Sequence, residues 1–142
     1  MFVPLGDDNS QRARIPFVNL GLIALNALAF LVELGANSSG GLEAFVGRWA
    51  AIPADYTGHG GHGGPVPLTL VTSMFLHGGW AHLIGNMVYL GIFGDNVESV
   101  MGSGKYLLFY LACGIAGALA HIFTSPGSTV PTLGASAMPQ AR

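Results

Sequence analysis

The segment TSMFLHGGWAHLIGNMVYLGIFGDNVE, Thr72 to Glu98, decides how the whole chain is read. It is apolar enough for a membrane helix, yet it places His77, His82 and Asn86 where a lipid-facing span would carry leucines. Polar side chains inside a bilayer are expensive, and those that persist face protein or trapped water. His82 and Asn86 stand four residues apart, which puts them on one helix face, about 6 Å apart along its axis. Two readings fit at this point. The pair either fastens a helical bundle, or belongs to a reaction site inside the membrane.

Composition places the segment in a membrane protein. Of 142 residues, 51% are hydrophobic and only 8% charged, whereas a soluble domain carries about 25% charge. The length leaves room for one domain. The formal net charge of −2 and the lack of a basic run argue against nucleic acid as a partner. The single cysteine, Cys113, has no partner for an internal disulfide and reads as a small core residue. No charged residue falls between Arg14 and Glu33, between Asp55 and Asp95, or between Lys105 and Arg142. Those gaps hold the expected spans.

The first span is IPFVNLGLIALNALAFLVEL, Ile15 to Leu34, long enough to cross about 30 Å of hydrocarbon at about 1.5 Å per residue. A signal peptide with Arg12 and Arg14 as its basic region is the rival. The apolar run is longer than such a peptide needs, and LVELGANSS offers no good cleavage site, so a retained anchor is favoured. Residues 1–14 read as a polar N-terminal segment on the cytoplasmic side. The second span covers Thr72 to Phe93, and the third, YLLFYLACGIAGALAHIFT, covers Tyr106 to Thr124. In the third, Ala112, Ala116 and Ala120 recur every four residues, as do Gly114 and Ala118, a spacing that lets helices approach closely in lipid. Between the first two spans lies a glycine-rich loop, residues 35–67. In it the Leu42, Phe45, Val46 and Trp49 spacing predicts a short amphipathic helix in the headgroup layer. Arg12, Arg14 and Lys105 on one side against Arg48 on the other predict a cytoplasmic N-terminus.

Several chemistries are excluded by spacing. HGGWAH lacks the glutamate of an HExxH zinc site, and His59 and His62 on a glycine tract lack further ligands, so neither a metal nor a cofactor is expected. MGSGK is not a phosphate loop, because Ser99 stands where that motif needs glycine. Ser136 in LGAS follows a helix-breaking SPGSTVPT, where a returning helix would begin. A serine there is a helix cap, or a nucleophile among oriented donors.

Taken together, TSMFLHGGWAHLIGNMVYLGIFGDNVE, FYLACGIAGALAH and LGAS resemble the rhomboid intramembrane serine proteases, over about Ile15 to Ser136. The resemblance implies an all-α membrane protein: a partial rhomboid-like helical bundle with three transmembrane helices and the start of a fourth from residue 134. It implies a multi-pass protein of a bacterial-type inner or plasma membrane, acting on transmembrane helix substrates or clients near the outer surface. Ser136 matches the nucleophile. His82 and Asn86 match the side chains that stabilise the oxyanion, a contribution of about 3–4 kcal/mol for one donor in a soluble serine protease. His77 matches a structural position that shapes the polar pocket, and Asp95 and Glu98 read as contacts at a helix end.

The sequence also departs from the family pattern. GASA stands in place of GASG, and MPQAR follows instead of an apolar helix. The general-base histidine of the family dyad lies two helices further on, and a serine without a base is a poor nucleophile. His121 is a conceivable substitute, though a hydrogen bond within the bundle suits it better. The expectation is a truncated rhomboid sequence, inactive as these 142 residues. A non-catalytic protein that holds transmembrane clients is the alternative.

Overall fold

A computed structural model describes residues 15–59 and 66–134 of the chain. The order is α1 (Phe17–Ser38), α2 (Leu42–Trp49), α3 (Pro53–Tyr56), α4 (Val66–Thr72), a 3-10 turn (Ser73–Phe75), α5 (Trp80–Tyr89), a π-helical turn (Leu90–Gly94), α6 (Asp95–Met101) and α7 (Ser103–Thr124). Among the described residues the only β pairing is a single antiparallel bridge, Ala51 to Thr132.

Helix α1 shows why the bundle belongs in lipid. Asn19, Asn26 and Glu33 recur every seven residues, and all three are buried together with Leu22 and Phe30. Leu20, Leu25, Leu28, Leu31 and Val32 face outward. A water-soluble helix does the reverse. Here the exposed face is apolar and the inward seam is polar, the arrangement that holds helices together where lipid gives no hydrophobic drive. Asn19 Nδ2 donates to the Leu90 carbonyl at 2.9 Å, and the Tyr106 hydroxyl donates to Asn19 Oδ1 at 2.9 Å. Higher up, Asn26 Nδ2 donates to the Leu22 carbonyl at 2.7 Å. Two helices, α1 and α7, are long and apolar enough to cross a membrane.

Between them runs a helical rod from Trp80 to Met101, interrupted by the π turn. At about 1.5 Å per residue it is about 33 Å long, similar to its neighbours. The π turn misaligns one stretch of the backbone ladder, and the Leu90 carbonyl there is the one that accepts from Asn19 Nδ2. Gly94 closes the turn beneath that network. A methyl group in its place would strike Asn19 and Tyr106.

The second helix therefore does not begin where the sequence pattern put it. Within the expected 72–93 stretch, helix ends at Phe75, residues 76–79 are irregular, and a new helix starts at Trp80 and runs on to Met101. The cause is local. Gly79 has φ 145°, a conformation closed to most other residues, and it turns the chain into α5. Helix α2 forms over the residues whose apolar spacing predicted it. Of the two small-residue stripes on α7, Gly114 and Ala118 face inward, Gly114 against Met74, while Ala112, Ala116 and Ala120 are exposed.

The remaining segments pack across one end of the bundle. Residues Ala50 to Ala54 are buried, and Thr72 Oγ1 donates to the Trp49 carbonyl at 2.6 Å. Ala54 N–H donates to the Ser128 carbonyl, Thr57 Oγ1 to the Pro126 carbonyl, and Thr132 N–H to the Ala51 carbonyl at 2.8 Å. These bonds carry the segment after α7 back over the bundle, towards α5.

Candidate active site

The polar residues singled out in the opening segment lie at that covered end. His82 and Asn86 occupy the first two turns of α5, one turn apart on one face. His77 sits in the irregular stretch just before it, 4% exposed, with its Nδ1 3.1 Å from the Phe75 carbonyl. Because a carbonyl only accepts, His77 Nδ1 carries the proton. Its Nε2 is buried and has no hydrogen-bond partner among the described residues. The rings of His77 and His82 meet edge to face with centroids 5.2 Å apart.

His82 has the opposite proton arrangement. Gly78 N–H donates to its Nδ1 at 3.3 Å, so Nδ1 is an acceptor and Nε2 carries the hydrogen. That places an N–H donor at the outer tip of the ring. Asn86 adds an amide NH₂ one turn below. The two side chains thus share one helix face, and both approach Gly134.

The chain segment that should deliver a nucleophile arrives at this face. Gly134 N–H donates to the Ser73 carbonyl at 2.8 Å, and Gly134 is buried with φ 62°. A side chain on it would meet His82 Cε1 at 3.0 Å, His82 Nε2 at 3.1 Å and Asn86 Nδ2 at 3.5 Å. Glycine is therefore required twice here, by its backbone angle and by the approach of the imidazole. Ser136 itself lies outside the described residues, as does His62. His121, the conceivable substitute base, has its Nδ1 2.6 Å from Thr132 Oγ1, a bundle contact that pins the returning segment to α7. No group of three or more His, Cys, Asp or Glu capable of holding a metal occurs among the described residues.

One functional neighbour escaped the sequence reading. Glu33 of α1, 4% exposed, takes the His77 backbone N–H on its carboxylate, at 3.0 Å to Oε2 and 3.2 Å to Oε1. The available signal was a carboxylate inside FLVELG in seven-residue register with Asn19 and Asn26. At the far end of the bundle Glu98 takes Val18 N–H, Asn19 N–H and the Ser103 hydroxyl. That is a helix-end role, and it lies on the opposite end of α1 from Glu33 and His77.

Comparison with known proteins identifies the family. The Rhomboid domain family matches residues 66–141. The chain is 46% identical over 67 residues to rhomboid protease GluP of Bacillus subtilis, covering 47% of this chain and 13% of that protein. It is 33% identical over 57 residues to the putative rhomboid protease YdcA of the same organism, 40% of this chain and 29% of that protein. Against the chloroplastic rhomboid-like protein 11 of Arabidopsis thaliana it is 36% identical over 75 residues, 53% of this chain and 26% of that protein. The matched region thus spans less than a third of the length of each of these relatives. No solved structure matches.

Proposed function

Because the chain belongs to the rhomboid family and is an integral membrane protein, we propose that it forms the oxyanion side of an intramembrane serine endopeptidase site. Ser136 is the nucleophile, and it attacks a peptide carbonyl of a substrate helix unwound near the outer membrane surface. His82 Nε2–H and the Asn86 amide donate to the oxygen that becomes negative in the tetrahedral intermediate. The single observation that supports this reading is the packing of Gly134, two residues before Ser136, onto both His82 Nε2 and Asn86 Nδ2.

The proton arrangement supports a division of labour. With Nδ1 occupied by Gly78 N–H, His82 is a donor and does not take the serine proton. The base is a separate group. Three crossings, α1, the Trp80–Met101 rod and α7, with the N-terminus on the cytoplasmic side, put the His82 end of the bundle towards the outer surface. That is where a partly unwound substrate helix would present a carbonyl.

The test is cleavage of a model transmembrane substrate in proteoliposomes. Ser136→Ala is expected to abolish cleavage. His82→Ala and Asn86→Ala are each expected to lower kcat by about a hundredfold or more while leaving KM nearly unchanged, as for a donor used only in the transition state. Cleavage that persists in Ser136→Ala, or that is indifferent to both donor substitutions, would remove this assignment.

A further inference from the structure

The donor face of His82 depends on which ring nitrogen holds its hydrogen, and a hydrogen bond to one nitrogen strengthens the preference for a hydrogen on the other. Here that bond comes from Gly78 N–H, which points at His82 Nδ1. Gly78 is exposed and lies in the irregular stretch 76–79, so its own orientation needs a support.

That support comes from α1. The His77 N–H, one peptide before Gly78, is held by both oxygens of Glu33. One turn earlier on the same helix, Phe30 packs edge to face against His77, with centroids 6.2 Å apart, and against Trp80 at 4.9 Å. Glu33 and Phe30 thus grip both ends of the short stretch that carries Gly78. A carboxyl group inside an apolar helix is costly, and here both of its oxygens lie on one backbone N–H.

We propose that Glu33 is a positioning residue that sets the tautomer of His82: by holding His77 N–H it aims Gly78 N–H at His82 Nδ1, and so fixes the hydrogen on Nε2, facing Gly134. The inference rests on the oxyanion role given to His82 for its functional meaning, but not for its structural content. Glu33 touches no reacting atom. It acts through two successive peptide groups.

Nitrogen-15 spectra of histidine-labelled protein in lipid bilayers read the tautomer directly. The wild-type His82 is expected to show a protonated Nε2 and a bare Nδ1. In Glu33→Leu the preference for that tautomer is expected to fall by about tenfold, the weight of one hydrogen bond, with the His121 signals unmoved. Glu33→Gln keeps an oxygen acceptor of the same reach and is expected to restore the preference to within about twofold of wild type. A residue serving only to brace the fold would move all the histidine signals together and would not be rescued in this way. If Glu33→Leu does not accumulate, Glu33→Asp, one methylene short of His77 N–H, carries the same expectation. A wild-type His82 with its hydrogen on Nδ1, or a single Nε2–H form retained in Glu33→Leu and Glu33→Asp, overturns the proposal. Those results would leave the peptidase assignment standing. Conversely, His82→Ala without effect on cleavage would end that assignment and leave the tautomer result intact.

Discussion

Two buried carboxylates serve α1 from its two ends, and they are supplied very differently. Glu98 comes from another helix and sits at the N-terminus of α1, where it receives Val18 N–H, Asn19 N–H and the Ser103 hydroxyl, the last two at 2.7 Å and 2.6 Å. The helix dipole also favours a negative charge there. Glu33 belongs to α1 itself, gains nothing from that dipole, and holds one backbone N–H with two oxygens. A buried polar group whose hydrogen bonds are all made rigidifies its surroundings, whereas one only partly satisfied is costly to keep. The Glu98 end is thus the clamp of the bundle. The Glu33 end is where the fold gives up some stability to hold His77, His82 and the returning segment in register.

The largest effect should follow from Glu98→Ala. It takes the acceptor from the buried Asn19 N–H and the half-buried Val18 N–H at the start of α1, and an unpaired buried group costs about 1–3 kcal/mol. A loss of about 3 kcal/mol or more is expected in unfolding measurements in bicelles, well beyond that of Glu33→Ala. Equal losses for the two would erase the distinction between clamp and positioning group.

Gly94→Ala should come next. The new methyl would press on Asn19 and the Tyr106 hydroxyl, both parts of the network that Glu98 extends. Overpacking of this kind costs about 1–3 kcal/mol. Gly114→Ala is its control, because the atoms in the way belong to the flexible end of Met74, which can move. The two substitutions should therefore differ clearly in unfolding free energy. A Gly94→Ala protein as stable as Gly114→Ala would mean that the Asn19–Tyr106 contact yields easily, and the clamp is softer than its hydrogen bonds suggest.

What could be read in advance divides along the same line. Helical membrane segments were legible because hydrophobic length and charge gaps are properties of the chain alone. The pairing of His82 with Asn86 was legible because a four-residue spacing fixes a shared face. The start of α5 was not, since an apolar count across Thr72–Phe93 does not register that HGG turns the chain, and Gly79 does so by its backbone angle. The π turn leaves no compositional trace, because it answers to Asn19 of another helix. The alternation on α7 was half legible: small residues at four-residue spacing mark close packing, but nothing local says that Gly114 and Ala118 pack while Ala112, Ala116 and Ala120 stay outside. Glu33 was missed although its register with Asn19 and Asn26 was visible in the sequence. A seven-residue polar repeat inside an apolar span means an inward seam, and each member of it asks for a named partner.

The smallest effect on stability, and the sharpest on the site, should come from Thr132→Val. This change keeps the shape of a buried residue and removes only the hydroxyl that pairs with His121 Nδ1 at 2.6 Å. The backbone bonds from Thr132 N–H to Ala51 and from Gly134 N–H to Ser73 remain. His121 is only half-buried, so water can replace part of what it loses. A global loss of no more than about 1 kcal/mol is expected, the net worth of one neutral hydrogen bond. Local opening is another matter, since the segment 125–134 lies outside the helices and reaches His82 at Gly134. Hydrogen exchange at the Gly134 amide should speed up several-fold while the α1 amides stay protected, as for an element that opens on its own. If the Gly134 and α1 amides instead accelerate together, the two ends of the bundle open as one unit, and the returning segment belongs to the clamp.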